Sequence, residues 1–189
     1  AGGADASPFI THHNALDIDL YLRISMGELW QKRLMVAGFE KTFEIGRQFR
    51  NEGIDHEHLQ DYSQMEFYWS FADFEDSMKL VEEMYKYVAK NTFGTLRFKI
   101  EDHAIDLSKP WKKIDYSEII LEKTGHNILK NPLPARELDQ LWKKVRKQIS
   151  GPAFLVGHPV EVSPLAKRQP NNPKFVQRYQ IILAGSEMG

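Results

Sequence analysis

Two short stretches of alternating character, Phe43–Glu52 and Tyr62–Trp69, flank the nine-residue polar segment Gly53–Asp61. In the first, Phe43, Ile45 and Phe49 interleave with Glu44, Gln48, Arg50 and Glu52. In the second, Met65, Phe67 and Trp69 interleave with Tyr62, Gln64, Glu66 and Tyr68. Side chains of a strand point to opposite faces with period two, so each stretch has one apolar and one polar face. Arg47 and Asn51 interrupt the apolar side. Paired as an antiparallel hairpin, the stretches put Arg50, Glu52, Glu66 and Tyr68 on one surface. An ordinary solvent-facing sheet favours Thr, Lys and Ser there. A floor of fixed Arg and Glu, backed by an apolar layer, points instead to a binding surface for something charged.

A chain of 189 residues is long enough to bury on the order of 70% of its unfolded surface, so one domain, or one with an appendage, is expected. The net charge of −1 gives no generic polyanion-binding surface, and any nucleic acid must be gripped locally. No apolar stretch approaches the ~18 residues of a membrane span. The chain has no cysteine, which excludes disulfides and thiolate metal sites and fits a reducing compartment. The opening Ala-Gly-Gly-Ala-Asp-Ala-Ser7 has neither the basic nor the apolar region of a signal peptide. Both ends read as points inside a longer protein.

Leu16, Ile18, Leu20, Leu22 and Ile24 alternate as a strand after the extended run Phe9–Asn14. A helix is expected from about Glu28 to Ala37, stopped at Gly38. Asp73 is the N-cap expected for a long helix with an apolar stripe of Phe74, Met78, Val81, Tyr85, Val88 and Ala89, ending before Gly94. Leu96–Ile100 and His103–Leu107 read as a second hairpin. Asp115 and Glu118 open a further helix as a capping box, and Gly125 closes it. Another helix carries Leu138, Leu141, Trp142, Val145 and Ile149, so that residues of about 115–150 form a helical insertion. The apolar runs Ala153–Val156 and Arg178–Ala184 are short enough for buried strands. The expected class is α+β, an antiparallel sheet flanked by helices.

Two readings of Arg50, Glu52 and Glu66 stand at this point. They form an ion-pair ladder across the hairpin, or they form an electrostatic site. Exposed pairs contribute only ~0–1 kcal/mol, a weak reason to keep several. A guanidinium fork binds phosphate or carboxylate, and a fixed carboxylate accepts from an amine, which describes a ligand with an anionic and an amino part. In the loop, His56 and His58 have metal-like spacing without an evident third ligand, and a His presented to phosphate fits better. Tyr62, at the root of that loop, is core or a stacking platform. His12 and His13 satisfy local backbone groups, and Glu28 at a helix start suits the helix dipole. No Walker-type Gly-rich loop, Gly-X-Ser-X-Gly elbow or His-Glu-X-X-His occurs, so a phosphate site here must be built from strands and side chains.

Phe49-Arg-Asn-Glu52, a loop with His58, and Tyr62-Ser-Gln-Met-Glu-Phe67 together resemble motif 2 of the class II aminoacyl-tRNA synthetases. Phe9-Ile-Thr-His-His-Asn-Ala-Leu-Asp17, Phe39-Glu-Lys-Thr-Phe-Glu-Ile-Gly-Arg47 and Pro159-Val-Glu-Val-Ser-Pro-Leu-Ala-Lys167 are similar to the class II lysyl-tRNA synthetases. The likeness runs from Gly2 to Gly189 and is strongest over residues 8–75 and 153–189.

The resemblance implies a partial class II catalytic core that activates lysine with ATP and Mg2+ and transfers it to tRNA(Lys). It implies that Arg50 holds the α-phosphate and the lysine carboxylate, and that Glu52 accepts from the adenine amine. His58 would approach the terminal phosphate and Tyr62 would stack on adenine, where the family more usually has Phe. Gly3 and Glu28 would meet the α-amino end of lysine, Glu66 and Tyr68 its side-chain ammonium. Glu187 would be the first of two acidic magnesium ligands. The sequence departs from the family at Leu59, often Asn, and by an extra residue near Met26-Gly27. Motif 1 with its dimer-interface helix is expected before Ala1. Motif 3 is expected after Gly189, with a second ATP-clamping Arg and the second acidic residue. No OB-type anticodon-binding domain is expected within these residues. The parent is then expected to be a cytoplasmic homodimer without a membrane partner, and this piece alone to be inactive. Two alternatives remain, a synthetase-like paralogue that joins a lysine-type amino acid to a protein and a non-catalytic ligand-binding module.

Overall fold

The computed structural model describes residues 6–27, 30–53 and 58–189. The chain divides into two compact units, Ala1–Ala72 and Asp73–Gly189. In the first, β1 (Ile10–His13) and β2 (Ile18–Tyr21) form an antiparallel hairpin. His13 Nδ1 accepts from the Leu16 amide at 3.2 Å, and His12 bonds Asp19 at 3.0 Å. Helix α1 (Trp30–Val36) precedes β3 (Lys41–Phe49) and β4 (Asp61–Trp69), which pair antiparallel along their full length.

That second hairpin is the one the alternation predicts. Its coverage is the reverse of what the pattern suggests. Phe43 and Ile45 on the apolar face are 72% and 69% exposed, whereas Gln48 on the polar face is fully buried. The reason is steric. Arg23, Ile24, Met26 and Gln31 lie on the polar side, where Arg23 Nε donates to the Arg47 carbonyl at 2.8 Å and Thr42 Oγ1 to Gln31 Oε1 at 3.0 Å. Ile24, Met26 and Gln31 are each nearly fully buried.

The second unit begins with α2 (Phe74–Phe93). Asp73 caps it as predicted, accepting from the amides of Glu75 and Asp76 while Asp76 returns the bond in a capping box. Gly94 ends it in the left-handed region at φ 70°. The hairpin of β5 (Arg97–Ile100) and β6 (His103–Asp106) follows. Next come β7 (Lys112–Asp115), α3 (Tyr116–Thr124), α4 (Ala135–Arg146), β8 (Ala153–Val156), β9 (Tyr179–Leu183) and the short β10 (Ser186–Glu187). Asp115 caps α3 through the amides of Ser117 and Glu118.

Strands β10, β9, β8 and β7 form one sheet in that order. Among the described residues β7–β8 alone is parallel, and the other pairings are antiparallel. The parallel pair requires a crossover, and α3 with α4 supplies it. The α+β class thus holds, with the helices of residues 115–150 set between neighbouring strands of one sheet. Tyr116, Ile120, Leu138, Trp142 and Val145 of these helices bury against Leu155 and Ile182 of the sheet. Each large aliphatic side chain so buried contributes roughly 1.5–3 kcal/mol. Among the described residues no helix is long and apolar enough to cross a membrane.

Candidate active site

The ladder of β3 and β4 sets Gln48 opposite Tyr62, Glu44 opposite Glu66 and Thr42 opposite Tyr68. It continues one step beyond the strands, where the Arg50 amide donates to the Gln60 carbonyl at 2.9 Å. Arg50 therefore keeps the alternation of β3 although it lies just past its end. Its Nε donates to the Ile24 carbonyl at 3.0 Å, and its Cζ stands 5.7 Å from the Tyr62 ring centroid. The guanidinium is aimed by one backbone acceptor and one aromatic face before any ligand arrives.

Beyond this anchor a cavity of about 310 Å³ is lined by Arg50, Glu52, Gly53, His58, Leu59, Gln60 and Tyr62. It gathers all four residues of the first unit that the resemblance assigns to ATP. Glu66 and Tyr68 lie further along the same face of β4. Gln64 Nε2 donates to Glu66 Oε1 at 2.9 Å. Gly27, at φ +84°, fits closely here, since a Cβ on it would come within 2.6 Å of Glu66 Oε2 and 3.2 Å of the Tyr68 ring. Gly27 is thus packed closely against the Glu66 and Tyr68 side chains. Gly3, Glu28 and His56 lie outside the described residues.

Arg23 is a site residue that the sequence reading passed over. Its Nη1 pairs with Glu44 Oε1 at 2.5 Å. Carboxylates directly opposite each other on neighbouring strands repel, and this pair neutralises Glu44 beside Glu66. The available signal was Gly46, whose missing side chain makes room for the guanidinium: a Cβ would sit 2.1 Å from Arg23 Nη2. Gly46→Ala is expected to cost about 1–3 kcal/mol by forcing Arg23 aside. Urea denaturation would measure it, and an unchanged midpoint would show that Arg23 is not fixed there.

Glu187 belongs to β10 in the second unit. Its Oε1 accepts the indole N–H of Trp142 at 2.5 Å, and its Oε2 accepts from Gln180 Nε2. Among the described residues no group of three or more His, Asp or Glu could hold a metal ion by itself. A single hard-oxygen carboxylate nevertheless suits magnesium, which proteins hold through one or two carboxylates together with substrate phosphates.

The family model for class II tRNA synthetases (D, K and N) matches residues 1–189. The chain belongs to the class II tRNA synthetase family. Curated relatives within it carry the name lysine–tRNA ligase. The protein of Carboxydothermus hydrogenoformans is 43% identical over 209 residues, covering 100% of this chain and 43% of the relative. That of Thermotoga maritima is 40% identical over 205 residues, covering 99% of this chain and 41% of the relative. That of Thermosipho melanesiensis is 38% identical over 205 residues with the same coverage, 99% and 41%. This class II synthetase chain therefore spans about two-fifths of the length of the curated relatives it matches.

Proposed function

We propose that the parent protein is a lysine–tRNA ligase and that this chain is the middle of its catalytic domain. The observation that carries the reading is one cavity where Arg50, Glu52, His58 and Tyr62 converge at the root of the β3–β4 hairpin. The names of the relatives supply the amino acid. In this reading Arg50 touches both reacting groups, the lysine carboxylate and the α-phosphate of ATP. Glu52 receives the adenine amine, Tyr62 stacks on its ring, and His58 meets the terminal phosphate. Gly3 and Glu28 take the α-amino end of lysine.

The carboxylate attacks the α-phosphorus, lysyl-adenylate forms, and pyrophosphate leaves. No protein nucleophile is needed. Catalysis comes from alignment and from fixed positive charge where negative charge accumulates. Glu187 would hold Mg2+, which when bound neutralises phosphate charge. Glu66 and Tyr68 would take the lysine ammonium, and a neutral side chain in its place forgoes that ion pair. We further assign transfer to tRNA(Lys), a homodimeric parent, a cytoplasmic setting, and the helices of residues 115–150 as an insertion in the catalytic domain.

The full-length parent should exchange pyrophosphate into ATP with lysine and not with aspartate or asparagine. The 189-residue piece alone should exchange none. Exchange driven by either of the other amino acids would overturn the reading. Glu66→Gln in the full-length protein should raise the KM for lysine about 100-fold, because the charge partner of its ammonium is lost, with the KM for ATP close to its original value. Equal effects on both substrates would remove Glu66 from the lysine end.

A further inference from the structure

We propose that Trp142, on the crossover helix α4, is a positioning residue that sets the carboxylate of Glu187 for a divalent cation. The proposal rests on the magnesium role given to Glu187 above. Trp142 is 3% exposed, and its ring is packed 5.4 Å, centroid to centroid, from that of the equally buried Tyr116. An indole N–H only donates, so it fixes Oε1 without ambiguity about which partner holds the proton. Gln180, on β9, fixes the other oxygen in the same manner.

Both donors are neutral. They orient the carboxylate without adding a positive charge to it. A carboxylate has about four lone-pair sites, and two neutral donors leave one on each oxygen for a metal. A Lys or Arg in their place would compete with the ion.

The frame around the indole is equally fixed. Arg146 Nη1, also on α4, donates to the Gly185 carbonyl at 3.1 Å. The Gly185 amide donates to the Ile149 carbonyl at 2.9 Å, and the Ala184 amide to that of Ser150 at 2.7 Å. The β9–β10 turn is therefore held to the end of the crossover just beside Glu187. Groups that orient a metal ligand from behind typically change metal affinity 10–100-fold when removed.

The test uses the full-length protein with a non-hydrolysable ATP analogue, following Mn2+ binding by electron paramagnetic resonance. Trp142→Phe keeps the ring and loses the N–H. It should weaken Mn2+ binding about 10-fold and leave the calorimetric affinity for lysine without nucleotide unchanged. Gln180→Met should act in the same direction. Added to Glu187→Gln, Trp142→Phe should produce no additional loss. If Glu187→Gln weakens Mn2+ and neither partner substitution does, the positioning role is wrong. An additional loss in the double variant would also sink it, since the effect would then bypass Glu187. Unchanged Mn2+ binding in Glu187→Gln itself would remove the magnesium role and the proposal together.

Discussion

Arg50→Ala in the full-length protein should lower lysine-dependent pyrophosphate exchange about 10³-fold, the range seen when one preorganised donor is taken from a developing charge. The loss should fall mainly on kcat. The guanidinium is aimed by its bond to the Ile24 carbonyl and by the Tyr62 ring, so its orientation exists before substrates bind and costs nothing at the transition state. Arg50→Lys keeps the charge and loses the planar fork, and should recover only part of the rate. Full activity in Arg50→Lys would mean that bulk charge is sufficient and that the fork is idle. A drop confined to the KM for ATP would mean that Arg50 serves ground-state binding alone.

The second large effect concerns His158, which lies outside the proposed chemistry. It is 2% exposed, and its ring centroid is 5.4 Å from that of Tyr116. Burial, and next the nearby Arg178 charge, hold its pKa down to about 4, against 6.5 for a free imidazole. The native state thus keeps it neutral where the unfolded chain takes up a proton. Stability falls as pH drops through 6.5 toward 4, because in that window the unfolded state binds more protons, and this contribution levels off below 4. At about 1.4 kcal/mol per pH unit the loss integrates to about 3 kcal/mol. Urea midpoints measured between pH 7 and pH 4 should decline less steeply in His158→Phe than in the original protein. Parallel declines would show that His158 is free to charge inside the fold.

The sequence disclosed most where a local rule acts alone. Asp73 and Gly94 bracket α2 because a side-chain acceptor at one end and a left-handed residue at the other need no distant partner. The β3–β4 hairpin follows from period two for the same reason. Which face it buries does not, because either face of a two-stranded ribbon can be covered. Arg23, Met26 and Gln31 settled that on the polar side, leaving Phe43 and Ile45 out. Strand β7, Lys112-Lys-Ile-Asp115, has no alternation and exists because Ala153–Val156 pairs with it from far along the chain.

The site divides along the same line. Arg50, Glu52, His58 and Tyr62 were legible because they sit on or beside one hairpin. The Arg23–Glu44 pair joins residues 21 positions apart, and the Trp142–Glu187 bond residues 45 positions apart. Periodicity does not announce contacts of that reach, and the one local trace of the first is the missing side chain at Gly46.

Because β7 and β8 are parallel neighbours, with Asp115 beside Val156, the excursion between them departs and returns on the same sheet. Chain closure grows dearer only slowly with length, about 0.6 kcal/mol for each doubling. Evolution can therefore lengthen or trim this excursion without shifting the register beneath it. What it cannot freely alter is the one turn of helix whose indole reaches across to an acidic neighbour, so tolerance to insertions should stop abruptly around that turn.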